Sequence, residues 1–335
     1  MDRLAKFRAL LGADHVLETR AQQAKYLVDE RQLYQGEALA VVRPPHRDSV
    51  AAVMQLADQA ELAVVPQGGN TGYCGGATPD DGQQQIVLSL ERLNRIIECD
   101  ERGAAITVEA GVVLAAVQQA AAASGLLFPL AMGSQGSCQI GGNISTNAGG
   151  LAVLRYGTMR DLVLGLEAVL PNGDVISDLN GLRKDNTGYD LKQLFIGAEG
   201  TLGVVTAACL KLFPQPRRYV TALFVIKQLS DAATILAQMR QTVGDNVTSC
   251  EYLAGAAVRM TIETMTELTL PLSFDHDHYL LVEWTDNAID ADADAGATSA
   301  ASALEAVAVI DAVVAQSDTQ RQQLWTFREN LPAAA

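Results

Sequence analysis

A basic surface is the first thing this chain lacks. Its 335 residues carry 24 Lys or Arg against 39 Asp or Glu, a net charge of −15. From Arg217 onward there are seven basic residues against sixteen acidic ones. A nucleic-acid binder needs a positive footprint, and anionic membrane surfaces repel such a chain as well. Long apolar runs are also missing: none approaches the ~18 residues of a membrane helix, so no membrane span is expected. Cysteine is scarce. Cys74, Cys99, Cys138, Cys209 and Cys250 are odd in number and widely spaced, with no C-x-x-C. That excludes a disulfide framework and a zinc cluster, and it suits a reducing compartment. Met1-Asp2-Arg3-Leu4-Ala5-Lys6 contains no apolar signal region, so the expected location is the cytoplasm.

Several motifs are absent in turn. No G-x-x-x-x-G-K-[ST] occurs, which removes P-loop NTPases. Gly197-x-x-Gly200-x-x-Gly203 has the wrong spacing for the dinucleotide fingerprint of nicotinamide enzymes. No G-x-S-x-G elbow suggests a hydrolase.

What is present is an ordinary globular composition, 49% apolar and 19% charged, in a chain long enough for two domains. It also has 28 glycines, many of them clustered. Pro66-Gln67-Gly68-Gly69-Asn70-Thr71-Gly72-Tyr73-Cys74-Gly75-Gly76-Ala77-Thr78 follows the apolar run Leu62–Val65. Glycine lets backbone N–H groups turn toward one point, which makes an anion cradle. A plain surface turn is the alternative for this stretch taken alone.

Residues 1–36 read as a helical lead-in. Ala38–Val42 reads as a strand, then a helix follows with Ser49 as N-cap and Val50, Val53, Met54, Ala57 and Ala60 along one face. Leu62–Val65, Ile86–Leu90 and Ala104–Glu109 read as strands, and Val112–Ala123 as a helix stopped at Gly125. Gly133–Gly150 is a second glycine-rich stretch, expected as a long functional loop. Leu162–Leu170 and Val175-Ile176 flank a hairpin turn, Leu191–Ile196 is a short helix, and Gly197–Gly203 is a third glycine cluster before strand Val204–Leu212. Pro214-Gln215-Pro216 reads as a linker. Beyond it, strands Thr221–Ile226 and Tyr279–Trp284 alternate with helices Asp231–Met239 and Ser299–Val314, the order of a smaller α+β domain. Asp290–Ser302 is expected to be a mobile loop. Three glycine loops at element ends imply one long ligand touched along its length, for which a dinucleotide is the right size.

Other candidates carry less. His276 and His278 alternate with Asp275 and Asp277, an arrangement open to metal ligation or to a polar loop, and no third ligand lies nearby. His15 and His46 sit among charged residues. Cys74 and Cys138 lie inside the first two loops and read as small packing residues.

The ordered set of motifs resembles a known family. Pro66-Gln67-Gly68-Gly69-Asn70-Thr71-Gly72 is similar to the pyrophosphate loop of the vanillyl-alcohol-oxidase/PCMH flavoproteins. Gly136-Ser137-Cys138-Gln139-Ile140-Gly141-Gly142-Asn143, with Thr146-Asn147-Ala148-Gly149-Gly150-Leu151, resembles their second FAD loop. Leu154–Gly157, Arg183–Leu191 and Phe195–Gly203 continue in the same order. The whole looks most like the D-2-hydroxyglutarate dehydrogenase branch, near the FAD-linked D-lactate dehydrogenases and the FAD subunit of glycolate oxidase.

The resemblance implies an α+β fold: a PCMH-type FAD-binding domain over 37–216, made of subdomains at about 37–97 and 98–216, and an incomplete cap domain over 217–335. The first loop would hold the FAD pyrophosphate by backbone N–H groups, aided by Asn70 and Thr71. The second, including Gly141, Gly142, Asn143, Thr146, Asn147, Gly149 and Gly150, would follow the ribityl chain and isoalloxazine. Glu199, Gly200, Gly203, Val204 and Val205 would meet the adenosine end. No His or Cys matches a covalent flavin attachment, so noncovalent FAD is implied. Arg328 matches the family arginine that binds a substrate carboxylate, and helix-surface pairing is its alternative.

The implied activity is transfer of a hydride from Cα of a D-2-hydroxy acid to the flavin, with D-2-hydroxyglutarate favoured over D-lactate or glycolate. Electrons would pass to a carrier such as an electron-transferring flavoprotein, and a homodimer is left open. Two departures stand out. Ala131 replaces a frequent acidic residue, and the sequence given stops before the H-x-G-D-G-N motif and later histidine through which longer family members hold a divalent metal such as zinc. A noncatalytic FAD-binding or electron-transfer subunit is therefore a second expectation, and an α/β protein binding no flavin a third.

Overall fold

The computed structural model describes residues 3–82, 84–286 and 309–334. The chain divides into two compact units. One comprises Met1–Gly150 with Gly157–Gln215, and the other Leu151–Tyr156 with Pro216–Ala335.

The first unit contains two sheets. In one, the order is β1 (Val16–Leu17), β2 (Ala40–Val42), β4 (Gln85–Ser89) and β3 (Ala63–Gln67). β2, β4 and β3 run parallel, while β1 pairs antiparallel with β2. The lead-in thus supplies a strand and is part of this unit. β4 is buried along its whole length, as a central parallel strand carrying Ile86-Val87-Leu88 must be. The helix Arg47–Gln59 joins β2 to β3 and buries Val50, Val53, Met54 and Ala57, the face its apolar spacing dictates. It starts three residues earlier than expected, with His46 at the N-cap position, so Ser49 lies inside its first turn.

The second sheet is antiparallel, in the order β5 (Ile96–Asp100), β6 (Ala105–Glu109), β10 (Val204–Lys211), β8 (Val163–Val169) and β9 (Val175–Asp178). Its inner strands form a dense core with Leu114, Val117 and Ala121 of the helix Leu114–Ala123. Buried Glu167 on β8 accepts from Thr206 Oγ1 (2.8 Å), Arg47 Nη1 and Ser177 Oγ (both 3.2 Å), tying this sheet to the Arg47–Gln59 helix. The expected linker is structured: β11 (Phe213–Pro214) pairs with β7 (Leu126–Leu127).

The second unit is built on the antiparallel sheet β13 (Val247–Ala254), β14 (His278–Asp286), β12 (Arg218–Val225) and β15 (Asp311–Val314). Strand alternation sorts the side chains. Val220, Ala222, Phe224, Leu280, Val282 and Trp284 pack on Ile235 and Met239 of the helix Ser230–Val243. Leu223, Val225, Leu253 and Leu281 face Val258 of the helix Gly255–Thr264 and Leu324, Trp325 and Phe327 of the helix Asp318–Ala334. The expected helix Ser299–Val314 is corrected at its end. Asp311–Val314 is a strand on the edge of β12, where Val313 and Val314 fit a pleated surface. The rest of that helix, and the loop Asp290–Ser302, fall outside the described residues.

The Asp318–Ala334 helix is fastened by one carboxylate. Glu283, 5% exposed, accepts from Arg321 Nε (2.7 Å) and Nη2 (3.0 Å), Trp325 Nε1 (2.6 Å) and Thr221 Oγ1 (2.7 Å). Arg321 also covers the Tyr219 ring at 4.3 Å, and burial pushes the Tyr219 phenol up to about 12. Glu283→Ala strips the partner from a buried guanidinium and an indole N–H at once. The expected loss is about 3–5 kcal/mol of stability by denaturant unfolding, and a change below about 1 kcal/mol contradicts this reading.

Candidate functional site

In the first unit the three glycine-rich stretches meet. A Cβ on Gly69 would collide with the Ser137 carbonyl, and one on Gly68 would stand 3.5 Å from Gly142 N. A Cβ on Gly200 would lie 3.0 Å from Pro66 Cγ, and one on Gly76 3.4 Å from Glu199 Oε2. Backbone bonds close the ring: Gly197 N donates to Ile144 O (3.0 Å) and Glu199 N to Ser145 O (2.8 Å). Each stretch holds one non-glycine residue in the left-handed region, Asn70 (φ 54), Asn147 (φ 47) and Glu199 (φ 51). Such backbone is strained for side-chain-bearing residues and concentrates at ligand sites.

The side chains in the first loop serve mainly to hold its shape. Gln67 Nε2 donates to Tyr26 O (2.9 Å) and Ala77 O (2.8 Å). Asn70 Nδ2 donates to Val28 O (2.8 Å) and Lys25 O (3.3 Å). What the loop leaves available is its backbone. Among the described residues, no N–H from Gly68 through Ala77 donates to a protein acceptor. Gly68–Thr71, Gly75 and Ala77 are half-buried, while Gly72–Cys74 and Gly76 are exposed. Half-buried amides are ordinarily paired, so unpaired ones at the inner end of the loop form a nest for an anion.

The second stretch is less of a loop than its glycines suggest. Ile140–Ser145 forms a short helix with Ile140, Gly141, Asn143 and Ile144 buried. Gly141 is required there: Ala110 Cβ would be 2.8 Å from an added Cβ, and Gly141 N donates to Ala110 O (2.7 Å). Asn143 turns inward, its Nδ2 donating to Cys138 Sγ (3.6 Å). Thr146 Oγ1 donates to Gly142 O (2.9 Å) and Ser137 Oγ to Ser134 O (3.3 Å). Gly150 packs on the Ala131 carbonyl, while Gly136 and Gly142 face open space. Gly149 is exposed. Gly203 leads into β10, where Val204 and Val205 are buried. Cys138 is a packing residue as expected, but Cys74 is exposed on the first loop.

Two participants carried no sequence signal. Arg160 clamps the second stretch to the third: its N donates to Asn147 Oδ1 (2.9 Å), Nη1 to Gln193 O (2.9 Å) and Oε1 (2.7 Å), and Nη2 to Ile196 O. Gln139, 9% exposed, has an Oε1 with no partner and lies 3.6 Å from where a Gly68 Cβ would stand. A buried carbonyl oxygen without a donor is a feature that a ligand hydroxyl resolves. Arg328 is not part of this crossing. It sits in the second unit, where its Nε (2.8 Å) and Nη2 (2.5 Å) both donate to Glu251 Oε2. His278 Nδ1 is hydrogen-bonded to the Tyr252 hydroxyl at 2.7 Å. Among the described residues no cluster of His, Cys, Asp or Glu is placed to hold a metal, and no helix is long and apolar enough to cross a membrane.

Comparison with solved structures gives the fold class. A substrate-bound p-cresol methylhydroxylase superposes with a TM-score of 0.76 at 21% identity, covering 98% of this chain and 68% of that one. An alkyldihydroxyacetonephosphate synthase gives 0.79 at 18% identity, covering 99% and 64%. The fold is the α+β fold of the PCMH-type, vanillyl-alcohol-oxidase flavoproteins.

Residues 38–178 match the FAD binding domain family, and residues 215–335 match FAD linked oxidases, C-terminal domain. A D-2-hydroxyglutarate–pyruvate transhydrogenase of Saccharomyces cerevisiae is 35% identical over 333 residues, 99% of this chain and 67% of that protein. A mitochondrial D-2-hydroxyglutarate dehydrogenase of Arabidopsis thaliana is 34% identical over 98% of this chain and 58% of its own length. A putative D-lactate dehydrogenase of Schizosaccharomyces pombe is also 34% identical, over 97% and 62%. The chain belongs to the FAD-linked oxidases of this fold, and it spans between 58% and 67% of the length of these curated relatives.

The residues present fit FAD. The unpaired N–H run suits a pyrophosphate, Gln139 Oε1 is a spare acceptor beside it, and the positions without side chains keep the cradle open. Gly69→Ala drives a methyl into the Ser137 carbonyl at an overpacking cost of about 1–3 kcal/mol. FAD retained per purified chain should fall about tenfold or more. Gln139→Leu should weaken FAD binding about tenfold without unfolding the chain. Full flavin content in both variants contradicts the assignment.

Proposed function

We propose that this chain holds FAD noncovalently at the loop crossing of its first unit, and that it serves the FAD-dependent oxidation of a D-2-hydroxy acid to the 2-oxo acid. The pyrophosphate rests on the amides of Gly68–Gly72. The ribityl chain and isoalloxazine follow Gly136–Gly150, and the adenosine end lies toward Glu199–Val205. The observation that carries the reading is the meeting of three loops around unpaired backbone donors, in a chain whose relatives are named for D-2-hydroxyglutarate and D-lactate.

Bound FAD accepts the hydride from the substrate Cα. The chain's own residues do the binding. The amides of the first loop neutralise the cofactor's anionic centre, and Gln67 and Asn70 keep that loop from closing on itself. Arg328 takes a substrate carboxylate through guanidinium N–H groups. D-2-hydroxyglutarate is the favoured substrate, and D-lactate or glycolate are the alternatives. Electrons pass to a separate acceptor such as an electron-transferring flavoprotein. A divalent metal belongs, by resemblance, to longer relatives, and no step here runs through one. All five cysteines are free, which suits the cytoplasm, although several relatives are named mitochondrial.

A second reading, a noncatalytic FAD-binding or electron-transfer subunit, is favoured by one observation: the Arg328 charge is already matched by Glu251. Anaerobic mixing separates the two. D-2-hydroxyglutarate should bleach the visible flavin band of the FAD-loaded chain. Arg328→Met should weaken substrate about tenfold or more while leaving FAD content intact. A band unmoved by D-2-hydroxyglutarate, D-lactate and glycolate alike favours the subunit reading.

A further inference from the structure

The helix Asp318–Ala334 carries two arginine–carboxylate pairs, and they are built differently. Arg321 and Arg328 are seven residues apart, with Trp325 between, so all three lie along one helix face. The Arg321 pair is closed on its carboxylate side: both Glu283 oxygens are used and the Glu283 side chain is 6% exposed, while Arg321 itself is 30% exposed. The Arg328 pair is open. Both of its hydrogen bonds end on Glu251 Oε2, Oε1 accepts nothing among the described residues, and the two side chains stay 28% and 25% exposed.

A guanidinium has five N–H groups. Glu251 occupies the Nε–Nη2 edge, which leaves both Nη1 protons and the outer Nη2 proton. One Nη1 proton and the outer Nη2 proton form the end-on fork, the other edge by which a guanidinium takes a carboxylate in two parallel bonds. An ion pair built for stability alone would bury its carboxylate and use both of its oxygens, as Glu283 on β14 does toward Arg321.

We propose that Glu251 is a positioning residue for substrate recognition. It fixes the Arg328 guanidinium on β13 so that its Nη1–Nη2 edge, and no other, is offered to the carboxylate of a 2-hydroxy acid. This rests on the reading of Arg328 as the carboxylate-binding group. Glu283 sets the rotation of the helix through Arg321 and Trp325, and Glu251 then sets the last side-chain torsions of Arg328. Holding the cation beforehand lowers the ordering cost of binding. The Glu251 charge also weakens the pull of Arg328 on any acid that approaches in another orientation.

The test is calorimetric titration of the FAD-loaded chain with 2-oxoglutarate, an unreactive dicarboxylate. Glu251→Gln keeps an acceptor for Nε and Nη2 and removes the charge, so it should bind at least as well as the unaltered chain. Glu251→Ala removes the acceptor too, and should bind about tenfold more weakly than Glu251→Gln. Neither should change FAD affinity, which separates positioning from damage to the fold. Equal affinity in the two Glu251 variants overturns the proposal, as does a parallel loss of FAD. If Arg328→Met weakens 2-oxoglutarate while the Glu251 variants match, the carboxylate reading stands and positioning falls. If Arg328→Met binds as the unaltered chain does, or the unaltered chain binds none, both fall.

Discussion

Ten consecutive backbone N–H groups, Gly68 through Ala77, have no protein acceptor among the described residues, and the surrounding structure keeps them that way. Six of them, Gly68–Thr71, Gly75 and Ala77, belong to half-buried residues. Unpaired amides there carry a free-energy penalty, and an ordinary loop relieves it by folding into a turn or pairing with a neighbour. Here Gln67 and Asn70 spend their side-chain amides on the carbonyls of Lys25, Tyr26, Val28 and Ala77. The loop is braced from outside, and its own donors stay free. Ser137 then approaches Gly69, and Pro66 approaches Gly200 at a positive φ, so closely that glycine is required at both. The penalty left in the protein is the affinity available to a bound pyrophosphate.

Much of this was legible in the sequence, because glycine is informative where backbone does the binding. The three clusters, the strand before the first and the apolar face of the Arg47–Gln59 helix follow from composition and period. The helix Ile140–Ser145 is hidden in the sequence, since Ile-Gly-Gly-Asn-Ile-Ser has poor helix propensity and only close packing on Ala110 makes Gly141 an asset. Arg160 and Gln139 were hidden for another reason. Each is a single polar residue whose importance lies in partners 13 to 36 residues away, or in having none. The strand Asp311–Val314 was taken for the end of an alanine-rich helix, because pairing with β12 overrides local preference.

The second unit reverses the logic of the first. There the backbone pairs in a four-stranded sheet, and the polar contacts that stand out are between side chains. One sheet face carries a polar strip, with Thr221 and Glu283 on adjacent strands and Glu251 on the far side of β14. Arginines from a single helix answer the two carboxylates. Glu283 is saturated and Glu251 is not, and the proposed recognition role of Arg328 rests on that inequality. The family resemblance singles out Arg328, but nothing in the sequence shows how differently the two arginines are paired.

The central claim is that the loop crossing is a cradle for a dinucleotide pyrophosphate. Titration of the flavin-free chain with FAD and with FMN tests it most directly, because FMN keeps the isoalloxazine and ribityl chain but has one phosphate and no adenosine. The account predicts one FAD per chain, with FMN weaker by about a hundredfold or more, the loss of several charge-assisted hydrogen bonds. FMN binding as tightly as FAD, or no binding of FAD, would contradict it.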